Sequence, residues 1–206
     1  LTKTVLITGC SSGFGNLIAR TFSDNGWNVV ATMRSPEKDT ELGSLANTLV
    51  TRLDVTDTES IEDAIAEATD RFGRIDALVN NAGYGGSGLF EQFSPEDIAA
   101  MYATNVFGPM QVMRAVLPAM RAQGSGRVVM KSSVLGFVAT PWRGAYSATK
   151  FALEALTDSR RMELADTEIH VSLIEPGPID TAFRRNAIPH FEQHINWRAS
   201  PHRAKY

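Results

Sequence analysis

Two rhythms of apolar and polar positions alternate along this chain. Short apolar runs rich in β-branched residues are separated by longer stretches whose apolar positions recur three and four residues apart. The short runs predict strands over 4–8 (TVLIT), 28–32 (NVVAT), 49–55 (LVTRLDV), 75–83 (IDALVNNAG), 127–133 (RVVMKSS) and 169–177 (IHVSLIEPG). The longer stretches predict four helices. One runs from the glycine-rich turn after the first strand to about Asn25, with Gly26 as its stop. A second is capped by Thr56 and Glu59 as a capping box and ends near Gly73. A third spans about 95–122, with Ser94 as cap, Pro95 in the first turn and Asp97 as first-turn acid. The fourth spans 145 to about 165.

Strands alternating with helices imply a parallel sheet covered on both faces, the doubly wound α/β arrangement of Rossmann type. No repeat, linker or low-complexity tract divides residues 1–206, so a single domain is expected, which suits the length. Beyond Pro178 the pattern dissolves. Residues 182–206 read as an incomplete C-terminal region with one short helix and without the final strand. The first residue is Leu1, so a residue or two is expected in front.

Composition narrows the picture by exclusion. A net charge of −3 leaves no electrostatic footprint for nucleic acid. No apolar run reaches the ~18 residues of a membrane span, and the chain opens in a strand rather than a signal peptide. Cys10 is the single cysteine, which excludes an internal disulfide. These features lead to the expectation of a cytoplasmic protein without membrane partners. His190 and His194 have the spacing of helical metal ligands but no third ligand, so no metal is expected.

The candidate chemistry sits at the ends of the predicted strands. TGCSSGFG (8–15) follows the first strand and opens the first helix, where glycines allow close backbone approach and helix N–H groups suit a phosphate. Its Gly9-x3-Gly13-x-Gly15 spacing departs from G-x-G-x-x-G. Tyr146 and Lys150, four residues apart on a predicted helix, share one face. A free phenol has a pKa near ~10, too high for an efficient base at neutral pH, and a neighbouring ammonium favours the phenolate.

In order, Thr8-Gly9-x3-Gly13-x-Gly15, Asp54, NNAG (80–83), Asn105, Ser133, Tyr146-x3-Lys150 and PG (176–177) resemble the short-chain dehydrogenase/reductase family. The resemblance spans residues 4 to about 181, and the wording is nearest to hydroxysteroid and retinol dehydrogenases. It implies an enzyme that interconverts a secondary alcohol and a ketone or aldehyde by hydride transfer with a nicotinamide dinucleotide. Tyr146 would be the acid/base, Lys150 its tuner and a ribose ligand, and Ser133 the group that aims the substrate oxygen. Asn105 reads either as the holder of a water linking Lys150 to solvent or as a helix-kink residue near Pro109.

For the cofactor, the resemblance implies Gly9, Ser11, Ser12, Gly13, Phe14 and Gly15 at the diphosphate, and Asp54 and Val55 at adenine. It implies Asn81, Ala82 and Gly83 at the adenine ribose, Tyr146 and Lys150 at the other ribose, and Pro176, Gly177, Ile179 and Thr181 at nicotinamide. Asn80 would brace the sheet. Where a carboxylate would select NAD(H), the second strand ends in Thr32-Met33-Arg34, so NADP(H) is expected over NAD(H), with Arg34 pairing the extra phosphate. Candidate substrate residues are Tyr84, Ser133, Leu135, Trp142 and Arg143, in a largely apolar pocket for a bulky hydrophobic small-molecule carbonyl or alcohol. Apolar positions on several faces of the two long helices, with the family's habit, imply a homodimer or homotetramer.

Two alternatives stay open: reduction of an activated C=C or imine at the same site, and a catalytically silent cofactor-binding regulator. Lys131 is unusual, standing where the family carries a neutral strand residue. Its side chain either snorkels or disturbs the site.

Overall fold

The computed structural model describes residues 1–179, 188, 191–192 and 195–205. Six strands form one parallel sheet: β1 (Thr4–Ile7), β2 (Asn28–Met33), β3 (Thr48–Arg52), β4 (Ala77–Asn80), β5 (Gly126–Lys131) and β6 (Ile169–Ile174). Their order is β3-β2-β1-β4-β5-β6. The chain winds outward from β1 to β3 and then returns to the far side of β1. Strand order therefore reverses between β1 and β4, the position where such sheets bind ligands.

The alternation of side chains across the sheet explains the layers. Leu6 points into a core shared with Ile61, Ala64, Val112, Met113, Val116 and Leu153. Those residues come from helices α2 (Thr58–Phe72), α4 (Gly108–Gln123) and α5 (Gly144–Glu163). Val5 and Ile7 point the other way and pack with Ala19, Ile18 and Phe22 of α1 (Gly13–Asp24). Both faces are thus covered, and β1, β2 and β4 are buried almost throughout, whereas β6 at the edge exposes His170 and Ser172. Met33 lies in this second core at 3% exposure, leaving Arg34 as the solvent-facing residue at the end of β2.

Several sequence-based boundaries shift. Leu53 to Val55, Asn81 to Gly83 and Glu175 to Gly177 lie past the ladders, in loops at the carboxyl edge rather than in strands. The cap of α2 is Asp57, which accepts from Ser60 N, and not Thr56. Thr56 instead donates its hydroxyl and its N–H to Asp54 Oδ1 at 2.8 and 2.9 Å. The Ser94 cap does form, as a capping box with Asp97, at the start of α3 (Pro95–Tyr102).

The expected single helix over 95–122 is interrupted by a π-turn at Ala103–Phe107. Pro109 has no N–H to return to the carbonyl of Asn105, so the α ladder breaks there. The wider turn buries Asn105 and Val106 and leaves Phe107 57% exposed. Among the described residues no helix is long and apolar enough to cross a membrane, and no three metal-ligating side chains cluster. His190, His194 and Thr181 lie outside the described residues.

Candidate active site

The loop between β1 and α1 is built on Thr8. Its hydroxyl accepts from the backbone N–H groups of Asn81 and Ala82, each at 3.0 Å. The Asn81 amide donates to the carbonyls of Thr8 and Gly9 at 2.8 and 3.1 Å. These bonds join the carboxyl ends of β1 and β4 across the reversal in strand order. A Cβ on Gly15 would stand 2.2 Å from Gly9 O and 2.7 Å from Asn81 Nδ2, so helix α1 can start against this loop only with glycine there. Gly13 has φ +59° with open space around its Cβ position, so conformation rather than crowding demands glycine.

Ser12 occupies the cap position of α1, yet its side chain makes no bond to the first-turn donors. The first N–H groups of α1 are thus left without a side-chain cap, beside a loop where Gly9 and Gly15 leave no room for a Cβ. This donor set, with its partial positive charge, fits a dinucleotide diphosphate.

Four residues expected at the chemical centre are brought together. Tyr146 and Lys150 lie one turn apart near the start of α5, at 7% and 4% exposure. The Lys150 ammonium is 5.7 Å from the Tyr146 ring centroid and donates to Lys131 O at 2.8 Å. Ser133 follows β5 and its hydroxyl is hydrogen-bonded with the Tyr146 phenol. Asn105 is 1% exposed, and its Oδ1 accepts from Tyr84 N at 3.0 Å. Its Nδ2 donates to Tyr84 O at 2.8 Å and to Thr149 Oγ1 at 3.2 Å. Asn105 thus stands in the irregular turn before Pro109, and it ties the loop after β4 to α5.

The electrostatics differ from the simple expectation. Burial pushes the Tyr146 phenol above its ordinary pKa, opposed by the Ser133 hydrogen bond and the Arg143 charge. Burial, aided by the like charge of Lys131, brings Lys150 down to about 7, against a smaller opposite pull from Glu154. The sequence reading had the ammonium lowering the phenol. In this structure desolvation is the largest influence on both groups, and the charge that lowers the phenol is that of Arg143.

The remaining cofactor candidates fall along the same edge. Val55 is 5% exposed and packs against Gly108, so only its backbone faces the edge. Asp54 holds the Thr56 turn already described. Gly83 lies beside Asn105, where a Cβ would be 3.0 Å from Oδ1. Pro176 accepts from Val134 N at 3.1 Å, and Ile179 N donates to Gly177 O at 2.9 Å, which places the loop after β6 next to Ser133. Ser11 and Ser12 are exposed in the glycine loop. Cys10 is buried and inert, its thiol pushed up to about 12 by desolvation.

Of the substrate candidates, Tyr84 and Leu135 pack with Tyr146 in an apolar cluster. Trp142 adopts φ +72°, uncommon for a bulky residue, and its carbonyl accepts from Gly88 N at 2.9 Å. Arg143 precedes α5 and acts on Tyr146 through its charge. The same cluster contains Phe191, Ile195 and Trp197, which the sequence reading left unassigned. Their signal was the i, i+4 apolar spacing of residues 191 and 195 within an otherwise polar stretch.

The chain is similar to several known proteins. The short chain dehydrogenase family pattern matches residues 3–191. The chain is 43% identical over 187 residues to the Escherichia coli uncharacterized oxidoreductase YbbO, covering 89% of this chain and 68% of that one. It is 39% identical over 195 residues to human 17-beta-hydroxysteroid dehydrogenase type 1, covering 89% of this chain and 59% of that enzyme. Among solved structures, ElxO with NADP bound superposes with a TM-score of 0.84 at 34% identity, covering 92% and 79% of the two chains. A Burkholderia phymatum short chain dehydrogenase/reductase in complex with NAD gives 0.87 at 27% identity, covering 97% and 74%. The chain thus spans roughly two thirds of the length of these relatives and belongs to the short-chain dehydrogenase/reductase family of NAD(P)-dependent oxidoreductases.

Proposed function

We propose that this protein is an NADP(H)-dependent oxidoreductase that interconverts an alcohol and the corresponding ketone or aldehyde, using Tyr146, Ser133, Lys150 and Asn105. The observation that carries the reading is the Ser133–Tyr146 hydroxyl pair with the buried Lys150 ammonium one turn away, beside the glycine loop. The dinucleotide supplies or accepts a hydride at the carbinol carbon. The chain's own task is then a proton at the oxygen. Ser133 holds the substrate oxygen by a hydrogen bond, and Tyr146 Oη gives its proton to that oxygen in reduction or takes it in oxidation.

A phenol raised by burial keeps its proton at neutral pH, the state that carbonyl reduction needs. The Lys150 and Arg143 charges lessen the penalty on the phenolate that reduction leaves behind. Lys150 and Tyr146 also hydrogen-bond the cofactor ribose. Asn105, held by Tyr84 and Thr149, keeps the loop after β4 against α5 and retains a water between Lys150 and solvent. Gly9, Ser11, Ser12, Gly13, Phe14 and Gly15 cradle the diphosphate. Asp54, Val55, Asn81, Ala82 and Gly83 border adenosine, and Pro176, Gly177 and Ile179 border nicotinamide. Arg34, exposed after β2 with no acidic neighbour in Thr32-Met33, favours the 2′-phosphate.

Residues 1–206 form one domain, with 182–206 belonging to the substrate side. The apolar surroundings of Tyr146, namely Tyr84, Leu135, Ile195 and Trp197, support an apolar substrate. Trp142 and Arg143 flank it. Exposed Phe107 in the turn before α4, and Phe151, Leu156 and Met162 on α5, support a homodimer or homotetramer. A cleft of about 420 Å³ between Phe107, Met110, Leu117 and Arg160, lined by that turn, α4 and α5, adds to that support.

The test is Tyr146→Phe, assayed by NADPH oxidation with a panel of ketones and by cofactor titration. Loss of turnover by a factor of about 100 or more, with cofactor affinity kept within a few-fold, is expected. Turnover at the wild-type rate refutes the assignment.

A further inference from the structure

Lys131 ends β5, and its side chain reaches the glycine loop. Nζ donates to Asn81 Oδ1 at 2.8 Å and lies 5.2 Å from the centroid of the Phe14 ring in the first turn of α1. The other end of the Asn81 amide is bonded to the carbonyls of Thr8 and Gly9. The ammonium is therefore fixed against the loop by one intervening amide. Its backbone carbonyl meanwhile anchors Lys150.

This is an expensive place for a cation. The side chain is largely withdrawn from water, and burial lowers its pKa to about 8. An ammonium has three donors, and the amide oxygen of Asn81 occupies one. Among the described residues no carboxylate lies within ion-pair distance of it. Lys150, on which its charge acts, has the same sign. Buried cations are normally paired. Here the structure supplies the cation, the uncapped N–H groups of α1 and a glycine-rich loop at the same edge of the sheet, and no anion.

We propose that Lys131 is a cofactor-binding residue whose ammonium, held at the glycine loop by Asn81, forms a charge-assisted hydrogen bond with the diphosphate of the dinucleotide. The inference rests on the cofactor site proposed above and adds one residue to it. Transfer from a neutral amide to a doubly charged diphosphate offsets the cost of burying the cation and its repulsion of Lys150. The contact is independent of the adenine ribose, so it serves NADPH and NADH alike.

The experiment compares the wild type with Lys131→Met, which keeps length and removes charge, and Lys131→Arg, which keeps charge. Dissociation constants are measured by fluorescence titration for NADPH and NADH, and by displacement for ADP-ribose and 2′-AMP. Lys131→Met is expected to weaken NADPH, NADH and ADP-ribose by a common factor of about ten to a hundred. Binding of 2′-AMP, which lacks the diphosphate, stays within twofold. Lys131→Arg recovers most of the loss, and the thermal transition of Lys131→Met is no lower than that of the wild type. Unchanged dinucleotide binding overturns the proposal. So does a loss confined to NADPH and NADH with ADP-ribose untouched, because that sets the ammonium against the nicotinamide half. An equal loss for 2′-AMP also overturns it. A wild type that binds neither dinucleotide overturns the cofactor site itself, and with it this inference.

Discussion

Lys150 makes the stability of the protein without cofactor depend on pH in an unusual direction. Its ammonium is 4% exposed and its pKa falls from 10.5 to about 7, first through burial and then through Lys131. Lys131 falls to about 8. Between those values and 10.5 the unfolded chain binds protons that the folded chain has lost. Stability must then rise with pH, the reverse of a lysine stabilised by an ion pair. Integrating the linkage from pH 7 to 9 gives about 2 kcal/mol for Lys150 and about 1 kcal/mol for Lys131, as upper values because the two repel each other. Cys10, raised to about 12, opposes this by only a few tenths of a kcal/mol up to pH 9. The shifted carboxylates Asp39, Asp57 and Glu154 act on the acid side, and Tyr84 and Tyr146 on the alkaline side. Urea unfolding at pH 7, 8 and 9 reads the slope directly, with m-values checked for constancy. The wild type should gain roughly 2–3 kcal/mol across this range, and Lys150→Met should lose most of that gain while being more stable at pH 7. A flat or falling profile in the wild type, or an unchanged slope in Lys150→Met, refutes the reasoning.

Two further outcomes test the cofactor loop and the end of β2. Gly15→Ala drives a Cβ to 2.2 Å from Gly9 O and should cost about 1–3 kcal/mol together with most of the cofactor affinity. Gly13→Ala meets no atom within 4 Å and should cost only about 1 kcal/mol, from its positive φ; denaturation of both variants checks the ranking. Arg34→Ala should weaken NADP binding about tenfold or more and leave NAD nearly unchanged, as read by titrating both cofactors. Equal losses would remove Arg34 from the 2′-phosphate.

Much of this architecture could be read from periodicity alone, because the central strands β1, β2 and β4 are buried on both sides and each helix is apolar on at least one. Ser94 and Asp97 announced a capping box, and the structure forms it. Thr56 and Asp57 both suit a cap, and composition cannot choose between them. The choice follows from Asp54, which takes the Thr56 hydroxyl and leaves Asp57 to the helix. One extra residue in a turn leaves almost no mark on a hydrophobic pattern, so the π-turn around Asn105 stayed hidden behind an apparently continuous helix. Tyr146 and Lys150 were legible as neighbours from a spacing of four. Their protonation was not, since it depends on how many atoms exclude water from them. Met33 and Arg34 show the same limit: strand alternation turns one into the core and the other to solvent, which decides which of them can meet a ligand.

The place of β1 in the middle of the sheet has a consequence for biosynthesis. β1 bonds β2 on one side and β4 on the other, and Thr4 N donates to Asp76, 72 residues further along. At about 5–20 residues per second, a ribosome needs roughly 4–15 s to add that interval. During those seconds one edge of an entirely buried strand, Thr4–Ile7, has no partner from its own chain. Such an edge is a template for pairing with other chains. The strand at the centre of the finished sheet is the one most exposed to mispairing while the protein is being made.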